Sequence, residues 1–133
     1  PGIGSGFGWH QDSPYWVHDH ADVDRLPNVM VTLDDADADN GALALIRGSH
    51  RRGGLPGTAD GTRLGGFYTD PDAFDASAEV VVEAPAGSLI FFGPHVVHGS
   101  RPNRSDRPRR AMVITYQPGT GPALKTRRSR PVP

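Results

Sequence analysis

The sequence predicts an all-β fold, a β-sandwich or barrel-like jelly roll, on three observations. The 133-residue chain contains 17 Gly and 13 Pro residues, spread along its length, which favour turns over long helices. The apolar segments between them are short and rich in β-branched and aromatic residues, as strands are. No segment shows the spacing of apolar residues that is typical of an amphipathic helix. The length suffices for one domain with a modest core.

Short strands separated by turns are expected along the whole chain. The run NVMVTL at 28–33 is apolar and β-branched, and we expect it to be buried. The acidic run DDADAD at 34–39, followed by Asn40-Gly41, predicts a solvated turn, because it lacks the Glu that closes a calcium loop. Residues 53–78 form a long loop of the kind that often binds substrate. The other strands are expected at 6–12, 42–46, 79–84, 88–92, 95–98 and 110–117.

Two regions are predicted, a core at residues 1–118 and a basic, Pro-rich tail at residues 119–133. The chain has no initiator Met and enters a strand within its first ten residues, so we expect N-terminal elements of a larger enzyme to be missing. No aromatic residue interrupts the basic residues of the tail, so we expect a solvated tail rather than a nucleic-acid contact. These basic residues are Lys125, Arg127, Arg128 and Arg130.

Composition argues against several classes of function. The formal charge is −1, so no global field favours nucleic acid or anionic membranes. No apolar segment approaches the roughly 18 residues that span a bilayer. The chain has no Cys, which excludes disulfides and thiolate metal sites and fits a cytoplasmic location. We therefore expect a small-molecule substrate and no nucleic-acid or membrane partner, while the oligomeric state stays open.

His10 and Asp12, in the run GWHQD, and His98, in the run HVVHGS, form the pattern of an iron site. In an extended strand, residues i and i+2 project to the same face, so His10 and Asp12 can bind one ion while Gln11 points away. His98 is expected from another strand, next to Gly99, which allows tight backbone geometry. Two imidazoles and one carboxylate are typical of non-haem Fe(II). They leave three positions open, two for a bidentate 2-oxo acid and one for O2.

Arg109, which lies near the start of the last predicted strand, is a candidate for holding the far carboxylate of a 2-oxoglutarate cosubstrate. Arg matches a carboxylate with two parallel N–H···O bonds. Ser100 lies close to His98 in sequence and can donate a further hydrogen bond. Arg110 is expected on the opposite face of the strand, but a one-residue change of register would exchange the two arginines.

The other histidines have simpler interpretations. His95 competes with His98 as the third ligand but lacks the Gly-Ser that follows His98. His50, in GSHRRG, is expected to be a structural hydrogen-bonding residue near a strand end. His18 and His20 are expected to be exposed in a loop. The alternative is that they line the entrance of the substrate pocket together with Tyr15 and Trp16.

Three segments carry a family resemblance: GWHQD (8–12), VTLDDADADNGALALIRGSHRRG (31–53) and APAGSLIFFGPHVVHGSRPNRSDRPRRAMVITYQP (84–118). They resemble the phytanoyl-CoA dioxygenase family of Fe(II)- and 2-oxoglutarate-dependent oxygenases. The middle segment is similar to the family's stretch of Leu, acidic turn, Asn-Gly, strand and Gly-Ser-His, except that Arg47 stands where Pro is usual. Residues 54–78 and the tail have no match.

The resemblance implies a double-stranded β-helix, which is a jelly-roll barrel. It implies that His10, Asp12 and His98 bind Fe(II), that Arg109 and Ser100 hold 2-oxoglutarate, and that O2 is the other cosubstrate. Related halogenases replace the carboxylate ligand with a small residue, so Asp12 favours hydroxylation. The implied reaction hydroxylates an aliphatic C–H of a small molecule while 2-oxoglutarate is converted to succinate and CO2.

Two rival hypotheses stay open. The first is a non-catalytic jelly roll that binds a metal or a ligand, although such a module would not need open iron positions beside an anion clamp. The second is a catalytically dead fragment, in which the barrel does not close and strand edges are exposed. Because a fold alone does not determine function, the choice depends on the site residues.

Overall fold

The computed structural model describes residues 5–17, 20–58 and 67–119. His18 and the tail from residue 120 onward lie outside these ranges, so the predictions made for them, and the division into core and tail, stay predictions. Within the described ranges, no helix has both the length and the apolar character needed to cross a membrane.

Short strands dominate the described residues. A single α-helix, α1, covers Ser13–Trp16, and four one-turn 3-10 helices cover Val23–Arg25, Ser49–Arg52, Pro71–Ala73 and Ala76–Ala78. The strands are β1 (Phe7–His10), β2 (Asn28–Thr32), β3 (Leu43–Ile46), β4 (Glu79–Val81), β5 (Leu89–Phe92), β6 (His98–Ser100) and β7 (Ala111–Thr115).

The strands form two antiparallel sheets. One sheet has four strands in the order β1-β6-β3-β4, and the other has three in the order β5-β2-β7. Neighbouring strands are therefore far apart in sequence, as when β1 pairs with β6 and β2 pairs with β7. This arrangement confirms the predicted all-β class, and it brings residues from both ends of the chain to one place.

The three-stranded sheet has one inner and one outer face, as alternation along its strands requires. Asn28 and Phe92, which are Cα partners, are both buried and belong to the inner face. The outer face carries Leu89, Phe91 and Met112, which are 57%, 68% and 48% exposed. The inner face is thus the one directed at the four-stranded sheet.

The acidic segment forms the predicted turn, but Asn40, which follows it, is bonded to the backbone of that segment rather than solvated. The Asn40 side chain is fully buried; its Oδ1 accepts from the Asp37 N–H at 2.8 Å, and its Nδ2 donates to the Asp35 carbonyl at 2.7 Å. Gly41 has a φ of +81°, and a Cβ there would lie 2.3 Å from the Arg101 carbonyl oxygen. Only glycine fits this position, so the Asn-Gly pair fixes the chain direction into β3.

Several predicted boundaries were wrong. Strand β4 ends at Val81 and β7 at Thr115, whereas the sequence predicted strands to residues 84 and 117. Strand β1 ends at His10, so Asp12 lies outside the strand, with φ −82° and ψ −23°. Strand β6 begins at His98, whereas the sequence predicted a strand at 95–98. In the last two places the backbone N–H groups have other partners. Those of Asp12 and Ser13 donate to the Pro94 carbonyl, both at 3.0 Å, and those of Val96 and Val97 donate to the Gly93 carbonyl and the Ser49 hydroxyl.

Candidate metal centre

The side chains of His10, Asp12 and His98 converge between the two sheets. His10 and His98 are Cα partners in the β1–β6 pair, and their ring centroids are 4.0 Å apart. The Asp12 carboxylate lies 3.6 Å from the Nε2 atom of each imidazole, through Oδ1 to His10 and Oδ2 to His98. One ligand atom from each residue lies within 4.8 Å of the others. This is the grouping that the sequence predicted.

Hydrogen bonds to the backbone set which imidazole nitrogen can bind a metal. His10 Nδ1 lies 2.9 Å from the Gly8 carbonyl oxygen, and His98 Nδ1 lies 2.9 Å from the Val96 carbonyl oxygen. A carbonyl oxygen only accepts, so each Nδ1 carries the proton. In the neutral rings, both Nε2 atoms then have a free lone pair directed at Asp12.

Burial favours the neutral, metal-binding form of His10. Its pKa is lowered from the ordinary value, first by desolvation and then by the nearby His98 ring. Two cations cannot share this space at low cost, whereas two neutral imidazoles beside one carboxylate can. The donor set of two nitrogens and one oxygen therefore fits a divalent first-row metal such as Fe(II).

Gln11 anchors the segment between the two ligands, a role that the sequence did not predict. The side chain is 1% exposed and, as expected, it is directed away from the ligand cluster. Its Nε2 donates to the carbonyls of His95 (2.7 Å) and Gly53 (2.9 Å), and its Oε1 accepts from the Leu55 N–H at 2.7 Å. Gln11 thus ties His10 and Asp12 to the loop before His98 and to the start of the long loop.

Ser49 has a similar role next to His98. Its hydroxyl donates to the Ile46 carbonyl at 2.8 Å and accepts from the Val97 N–H at 2.8 Å. This contact holds the end of β3 against the residue before His98. Polar residues at the end of an apolar run, as in LIRGSH, are the sequence signal that could have indicated it.

Aromatic rings enclose the imidazoles. Phe67 stacks on His10 with 5.8 Å between ring centroids, and Phe92 lies 4.9 Å from His98. Tyr15 packs against Phe67 at 4.5 Å and donates its hydroxyl to the Phe67 carbonyl at 3.2 Å. Burial and the nearby Asp12 raise the pKa of Tyr15, so it stays a neutral donor. Phe67 brings part of the long loop to the site, and the sequence did not single it out.

The two arginines are distinguished by their partners. Arg110 is exposed and binds the Asp34 carboxylate through Nε and Nη2, both at 2.9 Å. Arg109 is half-buried, and its Nε donates to the Asn40 carbonyl at 3.2 Å. Among the described residues, no carboxylate lies within ion-pair distance of Arg109. Its guanidinium is therefore the one with capacity for an added anion.

Ser100 and Arg109 lie at the same end of β3. Ser100 pairs with Leu43, the first residue of β3, and Asn40, whose carbonyl accepts from Arg109, lies three residues before Leu43. His98 pairs with Leu45, two residues further along β3. The step from His98 to Ser100 therefore corresponds to about 7 Å of strand.

The other histidines that the structure describes, His20, His50 and His95, do not join the cluster. Within the ranges that the structure describes, His10, Asp12 and His98 form the only such metal-ligating group. His95 instead bonds to Asp24 through Nε2 at 2.5 Å, and His50 is exposed. His20 is 6% exposed and its Nδ1 accepts from the Asp22 N–H at 3.0 Å, so the expectation of an exposed loop residue was wrong.

Gly99 allows β1 and β6 to approach closely enough for the two histidines to meet. A Cβ at Gly99 would lie 2.7 Å from the Phe7 carbonyl oxygen, a distance at which the backbones must separate. We expect Gly99→Ala to lower the free energy of unfolding by about 1–3 kcal/mol and to weaken metal binding. Gly54→Ala, where a Cβ meets nothing within 4 Å, is the control in a urea titration. Equal effects of the two substitutions would contradict this explanation.

Comparison with known proteins identifies a family and several relatives. A sequence model of the family described as phytanoyl-CoA dioxygenase matches residues 1–111. L-proline trans-4-hydroxylase of Streptomyces griseoviridis is 29% identical, over 97% of this chain and 58% of that protein. 2-Aminoethylphosphonate dioxygenase of the uncultured bacterium HF130_AEPn_1 is 34% identical, over 85% of this chain and 40% of that protein. The chain thus spans 58% and 40% of the lengths of these two relatives.

A solved structure shares the fold. EvdO2 from Micromonospora carbonacea var. aurantiaca, crystallised with 2-oxoglutarate, matches with a TM-score of 0.71 and 29% identity, over 86% of this chain and 46% of that one. This likeness and the two antiparallel sheets confirm the predicted double-stranded β-helix.

Proposed function

Since this chain belongs to the phytanoyl-CoA dioxygenase family, we propose that it is the metal-binding part of an Fe(II)- and 2-oxoglutarate-dependent hydroxylase. Its substrate is a small molecule with an aliphatic C–H bond, and the coproducts are succinate and CO2. The observation that carries the proposal is the convergence of two Nε2 lone pairs and the Asp12 carboxylate within 4.8 Å. Three ligands of this kind leave coordination positions for a cosubstrate and O2.

Each of the three predicted ligands has a distinct task. His10 and His98 bind Fe(II) through Nε2, since their Nδ1 protons are held by backbone carbonyls. Asp12 supplies a negative charge that offsets the charge of the ion. When bound, the iron supplies the activation of O2 that no side chain of the chain can provide.

Arg109 and Ser100 are proposed to hold 2-oxoglutarate. They lie at the end of β3 that is about 7 Å of strand away from His98. A five-carbon diacid of comparable length fits this spacing, with its 2-oxo acid end at the metal and its far carboxylate at the guanidinium. Arg109 fixes the orientation through paired N–H···O bonds, and Ser100 donates one more.

The aromatic rings around the imidazoles are proposed to exclude water and to form part of the substrate wall. Phe67, which belongs to the long loop, and Tyr15 lie on the His10 side. Apolar walls favour an aliphatic substrate. The two relatives are named for small molecules, L-proline and 2-aminoethylphosphonate, which also supports a small-molecule substrate. Asp12 supports hydroxylation over halogenation. A cytoplasmic location, supported by the absence of Cys, completes the proposal.

The test is anaerobic absorption spectroscopy with Fe(II), before and after 2-oxoglutarate is added. We expect a weak visible charge-transfer band in the wild-type protein and none in Asp12→Ala. Admission of O2 should then convert 2-oxoglutarate to succinate. Metal binding without the band or succinate, in the longest available form of the protein, would instead support the non-catalytic binding module.

A further inference from the structure

Asn28 joins the candidate metal ligand Asp12 to the opposite sheet. The side chain is fully buried at the start of β2. Its Nδ2 donates to Asp12 Oδ2 at 2.5 Å, and its Oδ1 accepts from the Thr115 hydroxyl at 2.7 Å. Both ends of a buried amide are thus satisfied, which is the condition for placing such a group between two sheets.

The polarity of these two bonds fixes the direction of the amide. The Asp12 carboxylate only accepts, so Asn28 must present its NH2 group there. A flipped amide would place two oxygens against each other at Asp12, so Asp12 selects the orientation of the amide. In that orientation the amide oxygen faces Thr115, whose hydroxyl donates to it.

The strand register places the side chains of Asn28 and Thr115 next to each other. Asn28 and Thr115 are Cα partners in the β2–β7 pair, so their side chains leave the sheet on the same face. Asp12 belongs to the segment that follows β1 in the other sheet, and its backbone N–H is fixed by the Pro94 carbonyl. Asp12 is thereby held at its side chain by Asn28 and at its backbone by Pro94.

We propose that Asn28 is a positioning residue that commits one oxygen of Asp12 to a hydrogen bond and leaves the other to bind the metal, while Thr115 satisfies the amide oxygen of Asn28. This inference rests on the proposed function, because it assumes that Asp12 is a ligand. A carboxylate held in this way occupies a single coordination position. The positions needed by 2-oxoglutarate and O2 then stay open. Freed from Asn28, the carboxylate can rotate or chelate through both oxygens.

The experiment measures metal affinity and stability separately in the full chain. Co(II) titration under anaerobic conditions, followed by visible absorption, gives affinity and coordination geometry, and thermal melting of the metal-free protein gives stability. We expect Asn28→Ala to bind Co(II) about 10- to 100-fold more weakly, with altered absorption bands. Thr115→Val should show a smaller loss of the same kind, and Thr115→Ser should restore affinity by keeping the hydroxyl.

Thr32→Val is the matched control. Thr32 is also buried on β2 and donates its hydroxyl to the Pro85 carbonyl at 2.7 Å, at the end of the strand away from Asp12. The Thr32→Val substitution should lower the melting temperature without changing the affinity for Co(II).

Unchanged Co(II) affinity and absorption bands in both Asn28→Ala and Thr115→Val would overturn the proposal, whatever their melting temperatures. If Asn28→Ala does not fold, Thr115→Val alone decides. Failure of the wild-type protein to bind Co(II) is a different result, since it would remove the metal centre itself and the proposed function with it.

Discussion

Replacing His98 by alanine is expected to abolish both Fe(II) binding and the conversion of 2-oxoglutarate to succinate. The variant removes one of the three proposed ligand atoms, and the part of the chain that the structure describes holds no second group of this kind, since His95 is bonded to Asp24. Two remaining ligands would hold the ion too weakly to survive dilution. The measurement is metal content after desalting, together with succinate formed per protein.

His95→Ala is the matched control for this prediction. It removes a histidine three positions earlier whose side chain does not reach the cluster, while the carbonyl that accepts from Gln11 stays in place. Metal content should equal that of the wild-type protein. If His95→Ala loses the metal and His98→Ala keeps it, the assignment of the third ligand is wrong.

The sequence predicted most accurately the strands that consist of a short apolar run between turn residues. The central strands β2 and β3 were each predicted to within one residue of the observed bounds, because the runs NVMVTL and ALALI are bounded by turn residues. The segment 95–98 has equally β-branched residues but forms a strand only from its last residue. The N–H of Val96 donates to Gly93 within a turn, and that of Val97 donates to the Ser49 hydroxyl.

The grouping of His10, Asp12 and His98 was predicted correctly, but the local reason was only partly right. Asp12 does not reach the cluster through strand alternation, since β1 ends at His10 and the chain turns before Pro14. Pro14 has no backbone N–H to donate to a neighbouring strand, so the sequence does contain a signal for this turn. The hydrogen bond between Asn28 and Asp12 had no signal in the sequence, because local periodicity does not predict how two sheets face each other.

Arg109→Ala is expected to raise the KM for 2-oxoglutarate by roughly 10- to 100-fold, which corresponds to about 1.4–2.8 kcal/mol of lost binding. The reason is the loss of charge-assisted hydrogen bonds to the far carboxylate, which lies away from the metal. The metal ligands stay in place, so Fe(II) content should be unchanged. The KM for 2-oxoglutarate, measured by succinate formation at saturating O2, tests the prediction.

Arg110→Ala separates this explanation from a loss of positive charge alone. Arg110 has the same formal charge and neighbours Arg109 in the chain, but its guanidinium is bonded to Asp34 at the surface. Its removal should leave the KM for 2-oxoglutarate within about twofold of the wild-type value, since surface ion pairs contribute little. A one-residue error in the register of β7 would reverse the two results, because neighbouring residues on a strand face opposite sides. The pair of variants therefore tests the anion clamp and the strand register together.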